Sequence, residues 1–440
     1  MKTLSLSIAL FAVSVLLVSA QDTAGPQANT GDSAALEQRI KDLEERIISL
    51  EGQVRVLKSE TSSAQGTATP AAATPAAEAA NPAAAAATAQ TAEVPAAGVT
   101  QTPTYGGAGG AAAKALNPDI SVIGDFIGAV GGNSPPPLAS VQPFPALQMH
   151  ESELGLQAII DPYARGDFFI SFGEEGVDLE EGYITFTALP QSFVAKAGKM
   201  RSVFGKVNTM HNHVLPWVDR PLVTTNLVGG EDGIDDAGFS IERILPAPKG
   251  IFLEATGQVF RGDADGVFKS WQNSNVSTVD HLRAYRDLSE STNLDVGFSF
   301  AHGYNNADPH FTTNLYGVDA TLRWKPLRRS IYHSFIARSE FIWSQREQNP
   351  SEQRAFGMYA SADYQLGRRW FLGGRYDRSG RSQFANLTDT GGSIVLTYWP
   401  SEFSQIRGQY EFTNYAEGRN SNQLLLQLIF SLGAHGAHTF

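Results

Sequence analysis

Between Leu116 and Phe440 the chain alternates apolar and polar residues with a period of two, segment after segment, and this pattern constrains the fold most. Leu294, Val296, Phe298 and Phe300 share one face, opposite Asn293, Asp295, Gly297 and Ser299. Tyr316, Val318, Ala320, Leu322 and Trp324 oppose Gly317, Asp319, Thr321 and Arg323. Phe356, Met358, Ala360, Ala362 and Tyr364 repeat the pattern, as do Ile406, Gly408, Tyr410 and Phe412, and finally Leu424, Leu426, Leu428, Phe430 and Leu432. Side chains of a strand alternate between its two faces, so each segment reads as a strand with one apolar face. Each is long enough to cross a bilayer as a tilted strand of about 9–11 residues.

A soluble sandwich alternates as well, and three further features favour a membrane barrel. Connections alternate in length: 161–165, 188–192, 245–250, 325–330, 366–369 and 400–403 are short, whereas 131–148, 203–236, 261–280, 303–313 and 379–391 are long. Outer-membrane barrels have short periplasmic turns and long outer loops. Aromatics gather beside the short turns at Trp324, Tyr364, Trp370, Tyr398 and Trp399, as in an interfacial girdle. The chain ends in Phe440, resembling the terminal aromatic of outer-membrane proteins, although Gly433 to Thr439 separates it from the last clear strand. The fold expected over 116–440 is therefore an all-β, antiparallel transmembrane barrel of about 16 strands, wide enough for an aqueous channel.

The first residues set the compartment. Met1-Lys2, an apolar run from Leu4 to Val18 and the small residues Val18-Ser19-Ala20 before Gln21 read as a secretory signal peptide over 1–20. With no cysteine there is no lipid-anchoring thiol, disulfide or thiolate metal site. Once the signal is removed, no run of 18 or more apolar residues remains to form a spanning helix. A net charge of -12 and the lack of a basic patch argue against nucleic acid as a partner.

A helical segment over 33–60 carries a heptad seam at Leu36, Ile40, Leu43, Ile47, Leu50, Val54 and Leu57. β-Branched residues at a with Leu at d are compatible with a dimer. Two successive R-h-x-x-h-E stretches, Arg39 with Ile40, Leu43 and Glu44, then Arg46 with Ile47, Leu50 and Glu51, resemble the signature of short trimeric coiled coils and predict a homotrimer. Residues 61–115, rich in Ala, Pro, Thr and Gly, read as a disordered linker between this periplasmic coiled coil and the barrel. The partners expected are outer-membrane lipid, further copies of the chain, and peptidoglycan if the stalk also tethers the membrane to the cell wall.

The long connection 203–236 concentrates chemistry: Lys206, His211, His213, Asp219, Arg220, Glu231, Asp232, Asp235 and Asp236. Phe204-Gly205, Asn208, His211, His213, Trp217, Asp219 and Pro221-Leu222 follow a pattern F-G-x-x-N-x-x-H-x-H-x-x-x-W-x-D-x-P-L, with Gly229-Gly230 behind it. Together with Asn117-Pro118-Asp119-Ile120-Ser121, His150-Glu151-Ser152-Glu153-Leu154, Leu179-Glu180-Glu181-Gly182-Tyr183-Ile184 and Pro400-Ser401-Glu402-Phe403, this resembles a porin-like outer-membrane family often described as zinc-regulated TonB-dependent receptors. The resemblance spans nearly all of 116–440. By likeness to general porins, it implies that 203–236 folds into the lumen as a constriction. The receptor description fits poorly, because such receptors hold a folded plug inside a 22-stranded barrel, and a helix and an Ala/Pro linker supply none.

These residues predict a passive channel for small hydrophilic solutes or ions rather than an enzyme; an uptake receptor linked to zinc and a structural tether are the alternatives. Fixed lumen charges bias which ions dwell in a wet pore, and the expected lumen-facing charges are Asp295, Asp319, Arg323, Asp363, Arg375, Asp377, Arg407 and Glu411. No cofactor is expected, with Zn2+ the candidate metal. His211 and His213 could converge from an extended loop, with Asp232, Asp235 or Asp236 completing a tetrahedral site, and His435 with His438 forms a second pair. Asp263 and Asp265 read as a polar turn, since the spaced ligand series of a calcium loop is missing. His333-Ser334 and His302 with Ser299 lack a nucleophile motif such as G-x-S-x-G.

Overall fold

A computed structural model of the chain describes residues 118–133, 146–174 and 176–433. The signal peptide, coiled coil, linker, the His435–His438 pair and Phe440 lie outside the described residues.

The strands run β1 (Asp119–Asn133), β2 (Leu147–Asp161), β3 (Ala164–Gly173), β4 (Gly176–Phe186), β5 (Phe193–Arg201), β6 (Asp235–Leu245), β7 (Ile251–Phe260) and β8 (Ser277–Ser289). They continue as β9 (Thr292–Tyr304), β10 (Thr312–Trp324), β11 (Phe335–Arg346), β12 (Gln353–Gln365), β13 (Trp370–Gly380), β14 (Thr388–Ser401), β15 (Ser404–Asn414) and β16 (Asn420–Gly433). Each pairs antiparallel with its neighbours in sequence, and β1 closes on β16 from Ser121↔Gly433 to Asn133↔Ser421. The sixteen strands form one closed barrel, so no strand edge is left with unpaired backbone groups.

The two faces decide which kind of barrel this is. On β16 Leu424, Leu426, Leu428, Phe430 and Leu432 are exposed on the outside, while Ser421, Gln423 and Gln427 are buried inside. That is inside-out for a soluble protein. Leaving five such side chains in water at about 2 kcal/mol each would cost this strand about 10 kcal/mol; a bilayer removes that cost. A strand of 13 residues, at about 3.3 Å each and tilted about 40°, spans roughly 33 Å, enough for an apolar band about 25 Å tall. Tyr163, Tyr332, Tyr364, Trp370 and Phe403 stand exposed at the short-turn end, where Trp370 and Tyr398 rings lie 4.5 Å apart. The protein is a transmembrane antiparallel β-barrel.

Three expectations need correction. The connection after β10 runs over 325–334 rather than ending at 330, because two consecutive turns, Arg329 N to Pro326 O and Tyr332 N to Arg329 O, carry Ile331 and Tyr332 to the exposed surface. The alternation of loop lengths has an exception at β3–β4, which is joined by residues 174–175 alone. The long connection ends at 234, and Asp235 and Asp236 open β6, held in register by Arg201↔Asp235 and Met200↔Asp236.

Candidate functional site

Residues 202–234 connect β5 to β6 and fold inward across the barrel. Their base is tied by Asn208: its Nδ2 donates to Ser202 O (2.9 Å) and Ile234 O (3.1 Å), and its Oδ1 accepts from Ile234 N (2.9 Å). Gly205 at φ +62 is required there, since a Cβ would lie 2.4 Å from Glu340 Oε1, the acceptor for Lys206 N and Val207 N. Phe204, Val207, Leu215, Trp217, Val223, Leu227 and Val228 are buried against inward-facing Phe260, Val279, Ala301, Leu315 and Ile342. Pro221 precedes helix α1 (Leu222–Leu227), whose Leu222 N–H donates to Asp377 (3.3 Å).

The loop reaches the wall opposite its root, since β13 and β14 lie eight strands from β5 and β6 around the ring. Arg375 Nη2 donates to Asp219 Oδ2 (2.6 Å), and its guanidinium lies 4.8 Å over the Trp217 ring, whose edge meets Tyr359. Val218 N donates to Gln409, Arg407 Nη1 to Trp217 O (3.0 Å), and Asn226 Nδ2 to Asp389 (2.9 Å). Gly205 N donates to Ser299 on β9, and Asn212 Nδ2 to Glu151 on β2 (2.7 Å). The loop is therefore fastened on both halves of the ring.

On the near wall, acids and histidines crowd together. Two β-bulges put them there, because a bulge inserts an extra residue and re-aims side chains. Glu151 faces Asp125 and Met149 faces Phe126, so His150 is the extra residue on β2. Glu181 faces Phe169 and Leu179 faces Ile170, so Glu180 is the extra residue on β4. His211 Nδ1 lies 2.7 Å from Glu153 Oε2 and 2.6 Å from Glu180 Oε2, and its Nε2 lies 3.1 Å from Glu181 Oε2. His213 Nδ1 is 3.8 Å from Glu153, and His150 Nε2 is 3.1 Å from Glu231. Arg201 Nη1 donates to Asp232 O (2.7 Å), while Arg220 donates to Asn212, Val207 O and Met210 O.

Burial alone would push the His211 imidazole down, but Glu153, Glu180 and Glu181 outweigh it and hold it well above its ordinary value. Burial lowers Lys206 against the pull of Asp295, lowers Arg220 to about 10 and raises Asp232; on Glu231 burial is overcome by His150 and the carboxyl is lowered.

Of the residues expected in the constriction, Lys206, His211, His213, Asp219, Arg220, Glu231 and Asp232 lie in the inward loop. Asp235 and Asp236 do not. Asp235 pairs with Lys199 (3.0 Å), and Asp236 accepts from Gly262 N and Asp263 N (both 2.8 Å), holding the next outer loop instead. The carboxylates that meet His211 come from β2 and β4, not from Asp232, Asp235 or Asp236. The expected strand charges all sit on the inner wall. Asp295 pairs with Arg283 (2.8 Å), with Arg323 at 3.8 Å and Lys206 at 4.0 Å, and Asp319 is buried on the next strand. Asp363 pairs with Arg338, Arg375 with Asp377 (2.6 Å), Arg407 with Gln427 (2.7 Å) and Glu411 with Gln409 and Gln423. Sequence reasoning did not single out Glu151, Glu153, Glu180, Glu181 or Asn208 as site residues. The signal was adjacent polar residues, His150-Glu151 and Glu180-Glu181, inside strands that otherwise alternate.

No family model matches the chain. An uncharacterised protein of Aquifex aeolicus (strain VF5) is 27% identical over 391 residues, covering 74% of this chain and 81% of its own length. Among solved structures, similar chains include the loop L8 deletion mutant of OmpT, an outer membrane protein of Vibrio cholerae (8% identity, TM-score 0.49, covering 72% of this chain and 100% of that one). The outer membrane channel DcaP of Acinetobacter baumannii gives 13%, 0.49, 72% and 96%, and Salmonella typhi OmpF in complex with daunomycin 10%, 0.49, 73% and 99%.

Proposed function

We propose that the protein is a porin-like channel of the bacterial outer membrane, passing small hydrophilic solutes or ions by passive diffusion. One observation carries this reading: a closed barrel, apolar outside, whose polar interior is crossed by a loop bonded from its root to the opposite wall. A loop placed this way narrows the bore, and the charges beside it bias which ions dwell there. Lys206, Asp219, Arg375, Asp295 and Arg323 are the charges that support this reading, since they stand inside the barrel beside the loop. Porin function needs no chemistry at these groups, only a wet path and fixed charge. The heptad seam over 33–60 supports assembly as a trimer with the stalk in the periplasm.

Conductance of the purified chain in planar bilayers tests the reading. Discrete, voltage-independent steps at low potential are expected; a barrel that inserts yet passes no current would overturn it.

A further inference from the structure

We propose that His211, Glu153 and Glu180 form a binding site for one borderline divalent cation such as Zn2+, with Glu181 orienting the histidine. The site lies inside the barrel, where loop 202–234 meets the bulged strands β2 and β4.

The geometry argues as follows. One nitrogen, His211 Nδ1, faces two carboxylate oxygens, Glu153 Oε2 at 2.7 Å and Glu180 Oε2 at 2.6 Å, but it can offer only one proton between them. A metal ion at that point takes all three as ligands. Ligand atoms about 2.0 Å from a tetrahedral metal lie about 3.3 Å apart, so admitting the ion needs the nitrogen to part from each oxygen by well under 1 Å. The other ring nitrogen, Nε2, stays 3.1 Å from Glu181 Oε2. A metal-bound imidazole characteristically donates its second N–H to a carboxylate, which fixes its tautomer and orientation.

A second observation points the same way. Glu151 is buried at 9% exposure, and while its Oε2 accepts from Asn212 Nδ2 (2.7 Å), its Oε1 has no hydrogen-bond partner. Glu151, Glu153, Glu180 and Glu181 are all buried, and buried carboxylates need protons or cations near them because buried like charges repel strongly. Arg201, 3.6 Å from Glu180, supplies one positive charge to this group of acids. One nitrogen among oxygen donors suits a borderline ion, whereas calcium and magnesium favour all-oxygen shells. Glu180 and Glu181 side chains keep 9% and 11% exposure against 1% for His211 and Glu153, so the bulge carboxylates form the solvent side of the site.

The test is calorimetric titration of Zn2+ into the full chain, purified in detergent and stripped with a chelator. One saturable site per chain is expected. Glu153→Gln and Glu180→Gln, which keep size and hydrogen bonding, should each weaken it at least tenfold. Glu181→Gln should weaken it about ten- to a hundredfold while preserving the stoichiometry. A His435→Ala/His438→Ala double variant should leave it unchanged, and heat-modifiable migration confirms that each variant keeps its barrel. No saturable binding, binding indifferent to both Gln variants, or binding lost with the tail histidines would overturn the proposal. Conductance without metal is read separately, so failure of the site leaves the channel reading standing.

Discussion

Asn208 ties the two ends of the inward loop together through three hydrogen bonds. Truncation to Ala leaves Ile234 N without its acceptor, at a cost of about 1–3 kcal/mol for a buried donor. Asn208→Ala should therefore give noisier channels and protease cuts within 202–234, while the barrel still resists heat. Unaltered current noise together with unaltered proteolysis would show that the knot does not hold the loop. Lys206 carries a pH effect whose sign is fixed. Burial lowers its affinity for a proton below that of an exposed lysine, so it gives up its positive charge at a lower pH than an exposed lysine does. Loss of that positive charge 4.0 Å from Asp295 should shift permeability toward cations. Lys206→Gln should show this preference already at pH 7 and a smaller shift on going alkaline; an equal shift in both proteins would assign the effect to other groups.

At the scale of the element, loop 202–234 behaves as an internal core layer. Its apolar side chains rest on Phe260, Val279, Ala301, Leu315 and Ile342, which point into the barrel where polar residues would be expected of a water-filled pore. Replacing 206–231 with a short Gly/Ser turn should raise unitary conductance severalfold and lower the temperature at which the barrel unfolds, because apolar wall becomes wetted. A conductance equal to that of the intact chain would mean the loop does not limit flow. Bulges are the second device at this scale. Without the extra residues His150 and Glu180, strict alternation would direct only one residue of each adjacent polar pair inward.

For the whole molecule, residues 116–440 carry 26 basic and 35 acidic side chains, a balance of -9. The reversal potential across a salt gradient should favour cations, and an anion-selective value would place the acidic excess away from the current path. Native mass measurement in detergent should give trimers for the full chain; monomers or dimers alone would refute the heptad reading. If the stalk also binds the cell wall, a 21–115 fragment should sediment with peptidoglycan, and a fragment left wholly in solution would restrict it to assembly.

Much of this architecture was legible in the sequence because membrane strands obey a local rule. Leu424 to Leu432 had to show every second side chain to lipid, so alternation located the strands and the inward charges Asp295, Asp319, Arg375 and Glu411, and the loop lengths and aromatic girdle added the barrel. The motif from Phe204 to Leu222 was legible too, but only as a pattern. That Gly205 yields to Glu340, that Asp219 meets Arg375, and that His211 meets Glu153, Glu180 and Glu181 depends on residues up to 156 positions apart. Period two assigns a face to a residue whatever its partners are. Which distant carboxylate a histidine meets is decided only when the ring closes and the loop packs across it, so sequence alone determined the barrel, and the tertiary structure decided the site.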